Sequence, residues 1–303
     1  MMRKNIIWIT DIMTFLTAVK SFLIICGLLI LSGCASVQQN PTPQVLSPEL
    51  TQQGGIVYLK TGNVLTPDEL INQLASHQRI IVGEKHNNPY HHQIELWLVQ
   101  QLRLKREHGA VLLEMINPDQ QEKVNKVKRW LQTKPSVRES RIKELLAWHD
   151  GWPWQLYGGL VMELMQQPYP LLFANLNLNE VKAVCCNPPV LQGDISVAKN
   201  VKSRIEATIK EAHGGEITAR QLSVMTTIQQ MRDRRMAEQL LKAPTPATLI
   251  VGAYHATKIM GVPLHVKDLS PQEDLVVLIM AEKGNVLDNQ HADYIWYTPA
   301  KKP

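Results

Sequence analysis

Apolar residues gather in short runs at 79–82, 110–115, 171–175, 248–251 and 275–280, with little polar alternation inside them. Such runs, bounded by polar segments, predict strands buried on both faces, as in a parallel sheet covered by helices. The stretches between them carry apolar stripes at helical spacing: Ile94, Leu98 and Leu102, then Leu156, Leu160 and Leu164. Thr66-Pro67-Asp68-Glu69 predicts a helix start, with Thr66 as N-cap, Pro67 in the first turn and Glu69 closing a capping box. A further strand is expected at 56–59, with a turn at Thr61-Gly62-Asn63, and the alternating run 293–298 predicts an edge strand. The expected fold class is therefore α/β: a mostly parallel, doubly wound sheet with flanking helices and a smaller all-helical subdomain. That subdomain is expected at about 178–245, as helices near 195–212 and 216–241 split by His213-Gly214-Gly215. Its Met225, Met231 and Met236 read as core filler.

Two of the predicted strands end in one pattern, Gly-x-x-His: Gly83-Glu84-Lys85-His86 and Gly252-Ala253-Tyr254-His255. Ligands of open α/β sheets sit at the carboxyl ends of strands, so the two motifs predict two sides of one site. Beside the first stand Glu84, His86, His91 and His92, with Asn88-Pro89 opening a helix whose free N–H groups suit an anion. Beside the second stand Tyr254, His255 and Lys258, the last two spaced to share a helix face. Two chemistries use such a set. Glu84, His86 and His255 could ligate a divalent metal that activates water. Alternatively, a tyrosine phenolate could bind ferric haem iron while histidine and lysine hold the propionates. The segment 148–157 holds Trp148, Trp152, Trp154 and Tyr157, suited either to stacking on a porphyrin or to packing as a hydrophobic lid. The chain has no His-Glu-x-x-His, Gly-x-Ser-x-Gly, P-loop or Cys-x-x-Cys-His, which removes support for zincin, serine hydrolase, nucleotide and covalent c-type haem readings.

Composition changes the picture mainly at the amino terminus. The 303 residues are 45% hydrophobic and 19% charged, enough for a packed core and too balanced for disorder. Arg3, Lys4 and Lys20 against Asp11 supply +2 of the formal +5, leaving about +3, which with no basic run gives no support for nucleic acid binding. Lys20 precedes the apolar run 21–31, of signal-peptide length, and Leu31-Ser32-Gly33-Cys34 resembles a bacterial lipobox. That resemblance implies cleavage before Cys34, acylation of Cys34 and, with Ala35 and Ser36 following, sorting to the outer membrane. The expected organisation is a signal peptide at 1–33, a Pro-containing tether at 34–55 and the folded domain at 56–303. Cys185 and Cys186 then remain as an adjacent pair, poorly placed to bridge each other without strain.

Gly83-Glu84-x-His86 with His91-His92, Trp154-x-x-Tyr157, Arg232-Asp233-x-x-Met236-Ala237, and Gly252-x-x-His255 with Gly261-Val262-Pro263 resemble the ChaN family, in consistent order from Val57 to Leu264. These are iron-regulated, haem-binding lipoproteins of Gram-negative bacteria, in a superfamily with Tiki-type metalloproteases and erythromycin esterases. The resemblance implies a non-enzymatic, periplasm-facing lipoprotein for haem and iron uptake, working with an outer-membrane haem receptor. It implies a homodimer burying two face-to-face haems, each iron held by one tyrosine, with a histidine and a lysine of the other subunit on the propionates. In this sequence the iron ligand is expected at Tyr157 first and Tyr254 second. Glu84, His86, His91, His92, Trp154, His255 and Lys258 are expected around the porphyrin and its propionates. A metal-dependent hydrolase using the paired Gly-x-x-His elements is the alternative.

Overall fold

The apolar runs become the middle of an eight-stranded sheet in a computed structural model that describes residues 44–300. The strands are β1 (Gly55–Tyr58), β2 (Asn63–Leu65), β3 (Arg79–Glu84), β4 (Ala110–Leu113), β5 (Leu171–Phe173), β6 (Ala247–Gly252), β7 (Leu275–Glu282) and β8 (Tyr294–Thr298). The helices are α1 (Pro48–Gln53), α2 (Pro67–Leu74), α3 (Pro89–Lys105), α4 (Pro118–Leu131), α5 (Glu139–Leu145), α6 (Trp154–Gln166), α7 (Leu178–Cys186), α8 (Lys199–Ala212), α9 (Ala219–Lys242), α10 (Ala253–Ala256) and α11 (Val262–Leu269). The strand order is β2-β1-β8-β7-β3-β6-β4-β5. All pairs from β8 to β5 are parallel, and the two pairs made by β1 are antiparallel.

Side chains on the central strands alternate between two cores, which is why their sequences are apolar throughout. Ile80, Val82, Val111 and Leu113 face one core with Ile94 and Leu98 of α3 and Leu160 and Leu164 of α6. Ile81, Ala110 and Leu112 face the other, with Met236 and Leu240 of α9 and Val262 and Val266 of α11. The expected capping box is present at α2, where Glu69 accepts from the Thr66 N–H at 2.7 Å and Thr66 Oγ1 accepts from the Glu69 N–H at 3.2 Å. Asn88 caps α3 by accepting from the Tyr90 N–H at 2.9 Å. The break between α8 and α9 falls at Gly214 and Gly215, whose φ angles of +61° and +82° suit glycine.

Two expectations change. The 293–298 run is no edge strand: β8 lies between β7 and β1, because the short β1–β2 hairpin folds back to cover it. That hairpin contains β2, too short to show any alternation in sequence. The tether ends earlier than 55, since α1 docks Leu50 into the first core and Leu46 joins it. The expected signal peptide at 1–33, Cys34 and the first part of the tether lie outside the described residues. Helix α9 also serves two roles. Its C-terminal half, through Met236 and Leu240, belongs to the second core, while α8 buries Val201 and Ile205 against Met260 and Leu264. The helical pair thus rests on the sheet domain and has no large core of its own. Among the described residues no helix is long and apolar enough to cross a membrane.

Candidate functional site

Strands β3 and β6 are parallel neighbours in register, Gly83 opposite Val251 and Glu84 opposite Gly252, so the two Gly-x-x-His motifs lie side by side at the carboxyl edge. Each glycine makes room for the other motif. A Cβ on Gly83 would stand 2.6 Å from Ala256 Cβ and 3.1 Å from Ala253 Cα, so Gly83 lets α10 dock on β3. A Cβ on Gly252 would stand 2.8 Å from His86 Nε2, so Gly252 admits the first histidine. The pairing of motifs is a steric requirement of the fold.

The two histidines are each tied to carboxylates. His86 Nδ1 lies 2.6 Å from Glu84 Oε1, which also accepts from the Tyr157 hydroxyl at 2.8 Å. Burial opposes a charged His86, but the hydrogen bond and charge of Glu84 and the nearby Glu114 outweigh it and raise its pKa. His255 Nδ1 donates to Asp233 Oδ1 at 2.6 Å, and its Nε2 is 3.5 Å from Glu114 Oε1. Here too burial lowers the pKa while Glu114 and Asp233 raise it by more. Glu114 Oε2 accepts from the Gly252 N–H at 2.8 Å, which ties the end of β4 to the second motif. Gln229 Nε2 sits 3.1 Å from His255 Nε2.

Beneath His86 lies a further buried group. His92 Nδ1 meets Glu95 Oε2 at 3.0 Å, its Nε2 donates to the His86 carbonyl at 3.1 Å, and the same nitrogen is 3.9 Å from Glu84 Oε2. Burial works against a charged His92, yet Glu95 and Glu84 push its pKa up to about 9. Burial and the neighbouring Glu84 raise Glu95 to about 7. Both ring nitrogens of His91 are taken, Nδ1 accepting from the Lys85 N–H at 2.8 Å and Nε2 lying 3.0 Å from Thr298 Oγ1. Burial pulls His91 down to about 3, so it is a neutral strut between the β3–α3 loop and β8.

The aromatic segment packs as a lid. Trp148 meets Trp154 edge-on at 5.3 Å between centroids, Trp152 meets His86 at 4.9 Å, and the Trp154 Nε1–H donates to Glu139 at 2.6 Å. Tyr157, the first choice for iron, is 0% exposed, and its phenol is held by Glu84. Burial and the adjacent carboxylates raise its pKa, the opposite of what a ready phenolate needs. Tyr254 is different: it is 61% exposed and lines two cavities. One, of about 460 Å³, is walled by Glu84, His86, Ile279, Val286 and Leu287. The other, of about 200 Å³, is walled by Ile205, Ile209, Met225, Asp233 and Met260. Lys258 is not brought to either. It pairs with Asp293 at 2.7 Å and lines a separate cavity with Lys267.

Glu114 and Glu95 carry no motif in the sequence, and Asp233 appears there within a motif but without a role. Glu114 sat inside the predicted strand 110–115, where a lone carboxylate closing an apolar run is the signal. Glu95 falls on the apolar side of α3, three residues after His92, a spacing that places both on one helix face.

The family model described as haem-binding uptake, Tiki superfamily, ChaN matches residues 70–266, which span both motifs and the helices between them. The chain belongs to the ChaN family. A solved structure titled as cofacial heme binding to ChaN of Campylobacter jejuni is 25% identical, covers 82% of this chain and 97% of its own, and superposes with a TM-score of 0.76. Erythromycin esterase EreC (13% identity, 72% and 73% coverage, TM-score 0.44) and the type III effector HopBA1 (11%, 77% and 92%, 0.43) overlap far less. No curated protein matches the chain. The expected fold class and the family resemblance are thus borne out, and haem is the ligand that goes with this ChaN membership.

The residues present fit that ligand. A hard phenol oxygen on Tyr254 suits ferric iron, and Ile279, Val286 and Leu287 offer apolar contact for a porphyrin face. Lys85 and His86, about half exposed at 51% and 43%, supply cationic or N–H donors at the rim for carboxylates.

Proposed function

We propose that this chain binds ferric haem non-covalently at the carboxyl ends of β3 and β6, with Tyr254 as iron ligand, as an outer-membrane lipoprotein of haem uptake. The observation that carries this reading is that Tyr254 is exposed and lines both cavities. Bound there, haem supplies a ferric centre and two carboxylates. The chain's part is to present the phenol, cover the ring with apolar side chains and donate hydrogen bonds from Lys85 and His86. Lys258 lies outside this cavity, so its expected propionate role requires a second subunit, in keeping with a haem-loaded homodimer. Acylated Cys34 anchors the domain facing the periplasm, through the chain that precedes α1, where it meets an outer-membrane haem receptor. Titration with hemin at micromolar protein should give a high-spin ferric tyrosinate spectrum; an unchanged free-hemin spectrum overturns this reading.

A second reading, a metal-dependent hydrolase using Glu84, His86 and His255, is favoured by one observation. Two carboxylate-paired histidines flank Gly252, an arrangement suited to proton transfer on either side of a bound substrate. It predicts chelator-sensitive ester or peptide hydrolysis, and its absence removes this reading.

A further inference from the structure

We propose that Glu84, His92 and Glu95 form a resident site for a divalent first-row cation, separate from the haem iron and buried beneath His86. Among the described residues this is the group whose ligand atoms come together, all lying within 4.8 Å of one another. The three side chains are essentially closed to solvent: Glu84 is 1% exposed, His92 6% and Glu95 0%. They come from two elements, the end of β3 and one face of α3, so the backbone fixes the spacing.

The second observation concerns unpaired oxygens. Glu84 Oε2 and Glu95 Oε1 are buried with no hydrogen-bond partner. Glu84 Oε1 is already used by His86 and Tyr157, and Glu95 Oε2 by His92, so each carboxylate keeps one lone-pair-bearing oxygen for something else. An unpartnered buried carboxylate oxygen costs free energy that a cation recovers. Two carboxylates and a neutral imidazole balance a dication's charge inside a low-dielectric interior. The donor set of two oxygens and one nitrogen suits manganese, iron or zinc in the divalent state and disfavours copper(I), which prefers sulfur.

Donors about 2.1 Å from a tetrahedral ion lie roughly 3.4 Å apart, so the three groups need to draw in by about an ångström. Coordination at His92 Nδ1 releases that nitrogen's proton to solvent and replaces its contact with Glu95. The site borders the larger cavity, whose wall includes both Glu84 and His86, and the His86 ring is hydrogen-bonded to Glu84. A cation there would fix the Glu84 carboxylate and, through it, the orientation of His86 and Tyr157. The site stands on these residues and does not depend on the haem reading.

The test is to equilibrate the full folded domain with Mn(II), Zn(II) or Co(II), remove free metal and measure bound metal by mass spectrometry. About one equivalent is expected in wild type, falling at least tenfold in both Glu95→Gln and His92→Gln. In case those variants do not fold, X-ray absorption on Zn(II)-loaded wild type reads the donors directly. One imidazole with oxygen donors supports the proposal. Two imidazoles relocate the ion to His86 and His255 and overturn it, as does a wild-type protein that retains less than 0.1 equivalent. A hemin titration of the same samples keeps the two readings apart, since haem binding without resident metal rejects only this inference.

Discussion

Replacing Tyr157 with phenylalanine separates its structural role from a ligand role. The hydroxyl donates to Glu84 Oε1 at 2.8 Å, and neither Tyr157 nor the Glu84 side chain has access to water. A hydrogen bond to a charged group contributes about 1.5–3 kcal/mol, and Glu84 retains the His86 donor when the phenol is lost, so a cost of about 2 kcal/mol is expected. For a chain of this size each kcal/mol moves the melting temperature by about 2–4 °C, giving a fall of about 4–8 °C. Thermal melts of the haem-free protein by circular dichroism measure that shift. The same variant titrated with hemin should keep the tyrosinate charge-transfer band, because the proposed ligand is Tyr254. Loss of the band with an unchanged melting temperature would show that Tyr157 leaves Glu84 to bind iron, and would refute this argument.

Further outcomes follow from the geometry. Gly83→Ala places a Cβ 2.6 Å from Ala256 Cβ, so chemical denaturation should report a loss of about 1–3 kcal/mol together with weakened haem binding as α10 is pushed off β3. Leu50→Ala, at a 2%-exposed position, should cost about 2–5 kcal/mol; a negligible change would mean that α1 is part of the tether after all. His265 is fully buried beside Arg234 and Asp268, and burial with Arg234 pulls it down to about 3. The unfolded chain takes up this proton below about pH 6.5 and the folded one does not, so the His265 contribution is lost as pH falls below 6.5. His265→Leu should therefore gain about 2 kcal/mol on wild type between pH 7 and pH 5 in urea titrations. A difference independent of pH contradicts a neutral His265.

The fold was legible where local signals and tertiary demands agree. Buried parallel strands must be apolar on both faces, so 79–82 and 248–251 could be read directly, and the paired motifs at their ends pointed to one site. Thr66 and Asn88 announced helix starts because capping is a local hydrogen-bond requirement. What stayed hidden depends on partners distant in sequence. The interior position of β8 is set by β1, a strand more than two hundred residues earlier, and nothing in 293–298 records that. Tyr157 was preferred as iron ligand because Trp154-x-x-Tyr157 matched the family pattern, while Glu84, the carboxylate that accepts its hydroxyl hydrogen bond, lies 73 residues away in sequence. Glu114 escaped notice, and Asp233 was quoted in a motif without a role, because a single acid carries no chemistry until the fold sets it against His255.

The central claim is that haem iron is held by Tyr254, which lines both cavities. The most direct measurement is the visible spectrum of hemin-loaded Tyr254→Phe beside wild type at equal protein and haem. The tyrosinate charge-transfer band should be present in wild type and absent in the variant, whose fold by circular dichroism is unchanged because Tyr254 is exposed. An intact band in Tyr254→Phe would contradict the claim.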